Sequence, residues 1–447
     1  MAEKSIELTH EIANFIVTTN SGDIPQPAIE HAKVALMDWI AVALAGKVDP
    51  LVAKLVNYAE LMGGKEQAAV VGYGIKANVT QAALINGAAS HALDFDDTLE
   101  ATIGHPTVTL YPALLALAEW KGFSGREVLT AYLIGLKIAA VVGHCGGMEH
   151  YMHGWHATST IGHFASAAGC SKLLGLNEQQ TIHALGIAGT QASGLKSAFG
   201  TMCKPFHAGK AAQAGLMSAL LASDGFTGAD NILECPFGYL AVLNGKINEN
   251  ITELLNAPWE AADLAQKYHA SCHATHSPIE GTWAILEEEG LKYNDIKSIK
   301  LHVSKLALDA AGQTDPQVGL ARKFSIGYCV ANALLRGNTG TSAFTDEKVN
   351  DPEIKEFMKK ISLVKDDLFK LVETRIELET TGGKTYSKTT DVMKDIPPLE
   401  KKREKITAKL LDLSDAYLGQ KKASGMVEII NSLDQAENVE KLAEYYS

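Results

Sequence analysis

The chain has 447 residues, 46% hydrophobic, 21% charged and 7% aromatic, with 40 lysines and arginines against 52 aspartates and glutamates, a formal net charge of −12. At roughly 100–200 residues per domain this length buries a large core in two or three domains, which excludes a disordered chain. The acidic total, with no short basic cluster to offset it, excludes the electrostatic footprint of a nucleic-acid-binding protein.

Glu3, Lys4 and Glu7 precede any apolar run, the wrong order for a secretory leader, whose basic start runs straight into apolar sequence. From there to about residue 265 the pattern is helical, for example over 27–46, 78–93, 112–121, 126–143, 177–194 and 207–225. Pro27 and Pro112 stand at starts, and Gly46, Gly122, Gly143 and Gly225 at ends. The longest apolar runs are interrupted by Asp38 and Lys137 and fall short of the roughly 20 apolar residues of a bilayer span, so no membrane partner is expected. Alanine and glycine between the helices let backbones approach closely.

Beyond Lys267 the period changes. Ile299, Leu301 and Val303 alternate with polar residues, as do Val372, Thr374, Ile376 and Leu378, and a turn at 381–384 leads into 385–389 as a hairpin. Helical stretches lie near 279–289 and 325–335. Pro397 and Pro398 close the segment before an amphipathic helix over 399–413. The fold expected is mainly α: a helical region over 1–266, a smaller inserted α+β domain over 267–395, and a return to helices over 396–447. Cys145, Cys170, Cys203, Cys235, Cys272 and Cys329 show no CxxC or paired zinc spacing, which fits reduced thiols in a cytoplasm.

Three motifs imitate sites. Gly72-Tyr73-Gly74 after the apolar run 68–71, with Asp94 downstream, imitates a dinucleotide fingerprint, but no second strand precedes the acid. Asp94-Phe95-Asp96-Asp97 matches the acidic box of terpene cyclases, a minor alternative for an all-α enzyme that the lean aromatic content disfavours. His144, His150, His153, His156 and His163 crowd one stretch, yet HExxH is absent and Gly154 breaks the ligand face, so no metal is assigned.

Three further segments set polar residues in apolar, small-residue surroundings: His91 to Thr98 with Gly104-His105-Pro106, Gly154 to Thr160, and Gly200 to Lys210. Histidine, lysine and threonine at glycine-rich turns that open helices suit a polycarboxylate or phosphate site, made of helix N-terminal amides and cations. The bland alternative is helix capping and solvated loop residues.

DWIAVALAG (38–46), NGAASHALDFDDT (86–98), GHP (104–106), GWHATSTIGHFASAAG (154–169), GIAGTQASGLKSAFGTMCKPFHAGKAAQAG (186–215) and ARKFSIGYCVANALLRG (321–337) together resemble the MmgE/PrpD family of 2-methylcitrate dehydratase-like proteins. The resemblance implies a large all-helical domain built from both chain ends, 1–266 and 396–447, with the inserted α+β domain as a lid, a homodimer, a small polycarboxylate substrate, and no metal or organic cofactor. It places His105 and His156 as the proton-transfer pair and Lys204 and Lys267 as carboxylate clamps. Asp94 would orient a histidine or lysine, Thr98 would donate a hydrogen bond, and Cys272, His276 and Tyr328 would line the lid side. Lid closure about hinges near Gln266 and Pro397 would complete the site.

Family dehydratases tend to read DFNDT and HPSDN where this chain reads DFDDT and HPTVT, and the decarboxylase branch tends to carry histidine at the position of Cys272. The activity expected is a lyase acting on a di- or tricarboxylic acid by dehydration or decarboxylation through an enolate-like intermediate. An epimerase of an iminodisuccinate-like acid is the second reading.

Overall fold

The computed structural model describes residues 7–248, 250–314, 319–345, 348 and 351–447, so Glu3 and Lys4, used in reading the N-terminus, lie outside the described residues. The chain divides into two compact units, Met1–Gln266 with Pro398–Ser447, and Lys267–Pro397. The protein is mainly helical with small sheets.

The first unit contains α1 (Leu8–Thr18), α2 (Gln26–Gly46), α3 (Pro50–Met62), α4 (Val79–His91), α5 (Thr107–Lys121), α6 (Gly125–Met152), α7 (Ala157–Leu173), α8 (Glu178–Gly189), α9 (Cys203–Ser223), and the short α10 (Tyr239–Val242) and α11 (Ile251–Asn256). Every residue of α2 from Ala32 to Gly46 is buried, because apolar side chains cover all its faces and make it a central helix. The chain returns through α17 (Leu399–Leu418), α18 (Gln420–Asn431) and α19 (Glu440–Tyr446), and α17 packs on α2. Buried charge joins them: Lys409 Nζ lies 2.6 Å from Asp38 Oδ1, and Lys402 Nζ donates to the carbonyls of Ala262 and Leu264 at 3.0 Å each.

Helices α4 and α9 meet through glycines. A Cβ on Gly209 would stand 2.1 Å from the Leu84 carbonyl oxygen, and one on Gly87 would stand 2.8 Å from the Gly209 Cα, so the crossing exists only because neither residue has a side chain.

Four features depart from the sequence expectations. Pro112 lies inside α5, which begins at Thr107, and its missing N–H leaves the Val108 carbonyl outside the helical ladder. Helix α6 runs on to Met152 through a non-helical Gly147, giving 28 residues that pass for a membrane span by length and composition, although the span is buried in the core. The strand over Ile361–Lys365 is not among the expected ones. A small antiparallel hairpin, β1 (Ala68–Val70) with β2 (Ile75–Ala77), interrupts the helical region. Its turn holds Gly72 and Gly74 at φ 71° and 66°, so these glycines turn a hairpin and cradle no dinucleotide.

The second unit carries a four-stranded sheet in the order β4-β3-β5-β6, from β3 (Ile296–Val303), β4 (Ile361–Lys365), β5 (Glu373–Thr380) and β6 (Thr385–Asp391). Strands β3 and β4 are parallel, with Ile299 beside Ile361; β3 and β5 are antiparallel, with Leu301 beside Ile376; the turn at 381–384 joins β5 to β6. Thr374, Ile376, Leu378 and Thr380 point to the buried face, which α12 (His276–Glu289) covers. Helices α13 (Lys305–Ala311), α14 (Gly319–Arg322), α15 (Ile326–Arg336) and α16 (Pro352–Met358) complete the unit.

Candidate active site

Four segments of the helical unit converge. The loop after α4 takes a left-handed turn at Asp94, φ 51°, and is pinned where Thr98 exchanges backbone hydrogen bonds with Ala265 at 3.0 and 2.9 Å. A second left-handed residue, Ile103 at φ 48°, returns the chain to His105, whose N–H donates to Thr158 Oγ1 at 3.1 Å. His156 stands at the N-terminal boundary of α7, and Lys204 lies in the first turn of α9. The structure thus brings together Asp94, His105, His156 and Lys204, although they come from sequence positions as far apart as 94 and 204, while the Thr98 hydroxyl lies 3.4 Å from the Ala265 carbonyl.

Lys204 Nζ is 2.9 Å from Asp94 Oδ1, and His105 Nε2 is 3.6 Å from the same oxygen. Beneath them Asp96 Oδ2 lies 2.8 Å from His91 Nδ1 and 3.0 Å from His105 Nδ1. Side-chain exposure falls from 56% at Asp94 through 19% at Lys204 and 13% at His105 to 2% at Asp96, so charged groups at a solvent opening rest on a dry foundation. The His156 ring meets Phe199 edge-on at 5.0 Å, and Lys204 Nζ lies 5.6 Å from the same ring. His156 Nδ1 is 3.1 Å from His207 Nδ1, which makes one of them donor and the other acceptor.

Burial and charge set the protonation states. His156 is pushed down to about 2, first by burial and then by the positive surroundings of His91, Lys204, His105 and His207, so it is a neutral imidazole able to accept a proton. Burial lowers His91 to about 4, outweighing the lift from Asp96. Burial alone would raise Asp96, but the two imidazoles on it prevail and hold its carboxyl well below the usual range. Its sequence neighbour Asp97 goes the other way, up to about 8, through burial and the nearby Asp38, against the hydrogen bond from the Thr107 hydroxyl. An imidazolium at His105 has carboxylates to pair with, while one at His156 has none. That asymmetry supplies a proton donor and a proton acceptor in one opening.

His91, Asp94, Asp96 and His105 also offer donor atoms within 4.8 Å of one another, a spacing a metal ion could use. In this arrangement Asp96 Oδ2 already faces both Nδ1 atoms and Asp94 already faces Lys204, so the set is organised around protons and an ammonium group. The histidine-rich stretch does not gather into a ligand set: His150 bonds to the Leu243 carbonyl and Thr160, and His163 to the Ser159 carbonyl.

Lys267, Cys272, His276 and Tyr328 belong to the second unit. Lys267 and His276 are buried, with 3% and 1% exposure, and Cys272 is partly exposed. His276 is 4.7 Å ring to ring from His269 and 4.9 Å from His273. Tyr328 is fully buried and its hydroxyl donates to the Ala343 carbonyl at 2.8 Å.

Sequence reasoning did not single out His91, Asp96 or His207 as site residues. All three stand inside segments it had marked, so the available signal was their place in those segments.

Fold and site together define a mainly helical protein that gathers imidazoles, carboxylates and a lysine at one opening. The model of the MmgE/PrpD N-terminal domain matches residues 10–250 and that of the MmgE/PrpD C-terminal domain residues 269–435, and the chain belongs to the MmgE/PrpD family. It is 26% identical to a cis-aconitate decarboxylase of Aspergillus terreus over 98% of this chain and 95% of that one. Against the cis-aconitate decarboxylase of Homo sapiens it is 25% identical over 96% and 92%. A probable 2-methylcitrate dehydratase of Saccharomyces cerevisiae is 24% identical over 76% and 70%. Decarboxylases and dehydratases of this kind are lyases, and so is this enzyme.

Proposed function

We propose that the enzyme is a metal-independent lyase that removes carbon dioxide from a small unsaturated tricarboxylate of the cis-aconitate type. The observation that carries this reading is the pairing, in one opening, of Lys204 with a carboxylate-backed His105 and a neutral His156. Similarity to cis-aconitate decarboxylases along nearly the whole chain, at 25–26% identity, favours decarboxylation over the other lyase reactions. Lys204 would take one substrate carboxylate. As the carbon–carbon bond to the departing carboxylate breaks, its electron pair passes into the remaining conjugated carboxylate, whose developing charge a fixed cation stabilises. The His105 imidazolium would deliver a proton to carbon and regain one from solvent.

The same groups support dehydration as a second reading, because the neutral His156 can remove a proton α to a carboxylate while His105 protonates the leaving hydroxyl. We further expect a homodimer in the cytoplasm, checked by light scattering and by fractionation. The test is an NMR-monitored panel of cis-aconitate, 2-methylcitrate, citrate and iminodisuccinate with EDTA present. Conversion of cis-aconitate to a dicarboxylate and carbon dioxide is the expected result. Turnover confined to 2-methylcitrate would transfer the assignment to dehydration. Deuterium uptake into iminodisuccinate without elimination would make the enzyme an epimerase, and loss of activity on chelation would overturn its metal independence.

A further inference from the structure

We infer that Asp96, seconded by His91, is a positioning residue that fixes the Nδ1–H tautomer of His105 and so makes Nε2 the proton-transfer atom of that ring. The inference deepens the lyase reading and rests on it.

One carboxylate oxygen faces two imidazoles: Asp96 Oδ2 is 2.8 Å from His91 Nδ1 and 3.0 Å from His105 Nδ1. An ionised carboxylate only accepts, so each facing nitrogen must carry a hydrogen. His105 Nδ1 is buried and makes no well-aligned hydrogen bond among the described residues, and Asp96 Oδ2, 3.0 Å away, is the acceptor within reach of its hydrogen. The opposite nitrogen, Nε2, is the atom turned toward Asp94 and hence toward the Lys204 ammonium.

His91 contributes by what it lacks. Its Nε2 is fully buried with no hydrogen-bond partner, and its ring packs 4.7 Å from His105 and stacks 6.0 Å from His156. The polar work of His91 is therefore spent on Asp96, whose charge it stabilises in a site that excludes water. The titratable groups facing His105 are Asp94 and Asp96 from its own loop region, His91 from the end of α4, His156 at the start of α7, and Lys204 from α9.

Two arms test this. In the wild-type enzyme with 15N-labelled histidine and without substrate, long-range 1H–15N spectra at alkaline pH should show His91 and His105 as Nδ1–H tautomers. An Nε2–H tautomer at His105 overturns the proposal, even if the Asp96 variants fail to fold. In the second arm, Asp96→Asn should lower kcat by about 10²- to 10⁴-fold with KM little changed, since an asparagine amide can turn a donor toward Nδ1 and reverse the tautomer. The alkaline limb of its pH profile should move to lower pH, because the proton-donating imidazolium has lost a counter-charge. His91→Asn, which keeps an N–H for Asp96, should retain more than half of kcat, and His91→Phe should lose more than tenfold. Equal losses in both His91 variants with an unmoved pH profile would assign the cluster a structural role only. Inactivity of the wild type on every acid would refute the lyase reading, whereas an active enzyme with the reversed tautomer would refute this one.

Discussion

Asp96 and Asp97 are adjacent, both buried, and in opposite charge states: two imidazoles keep the first ionised, while burial and the nearby Asp38 hold the second neutral, hydrogen-bonded to the hydroxyl of Thr107, itself 2.8 Å from the Tyr132 hydroxyl. Asp97 is therefore mostly protonated at neutral pH, and Asp97→Asn should preserve the fold and keep kcat/KM within about fivefold, as an amide is close in shape and charge to a neutral carboxyl. A loss as large as that of Asp96→Asn would show Asp97 to be ionised. Lys204 offers a second test. Its ion pair with the half-exposed Asp94 contributes at most about 1 kcal/mol, so a substrate carboxylate can replace that partner. Lys204→Met should lower kcat/KM by about 10²- to 10³-fold at an unchanged melting temperature, measured by steady-state kinetics and calorimetry. The DFDDT string disclosed that acids gather here. It did not disclose which acid is charged, because that depends on His105 and Thr107 folding onto them. His207 escaped notice for the same reason, its partner His156 lying 51 residues away.

At the scale of elements, the site depends on how closely α4 and α9 cross, since one ends in His91 and the other begins beside Lys204. Gly209→Ala would drive a methyl into the Leu84 carbonyl and spread the helices, destabilising the fold by about 1–3 kcal/mol or more and displacing Lys204 from His105. A urea midpoint and kcat both equal to wild type would refute the close crossing. Most helices were legible through their apolar spacing and their proline and glycine punctuation. Pro112 misled because proline usually opens a helix, whereas here the residues from Thr107 onward, tied to Asp97 through the Thr107 hydroxyl, begin it. Strand β4 was missed for its brevity: Ile361–Lys365 shows little alternation and has meaning only beside β3.

For the whole molecule, buried neutral histidines govern acid stability. His31, His91 and His163 are lowered to about 4 and His156 to about 2, each chiefly by burial. The unfolded chain takes up protons on these groups below about pH 6.5 while the folded chain does not, so their contribution is complete above that pH and is lost as pH falls, by up to about 1.4 kcal/mol per pH unit for each. Asp97 works in the opposite sense, since its raised value costs stability as pH rises from about 3.9 toward 8 and returns it on acidification. The urea midpoint should fall between pH 7 and pH 5, and a flat or rising midpoint would show that these imidazoles take up protons in the native state. The mainly helical architecture was readable in the shift of period beyond Lys267, since a change from helical spacing to alternation is a property of local sequence alone. The joining of distant segments into one unit has a further consequence, for the order of synthesis. Lys402 and Lys409, which cap Leu264 and pair with Asp38, are translated after residues 267–397, which takes on the order of ten seconds at roughly 5–20 residues per second. For that interval the nascent chain carries α2 without its covering helix, an apolar surface for a chaperone to hold, while the intervening sheet-bearing unit gains its last strand, β6, only as the interval ends.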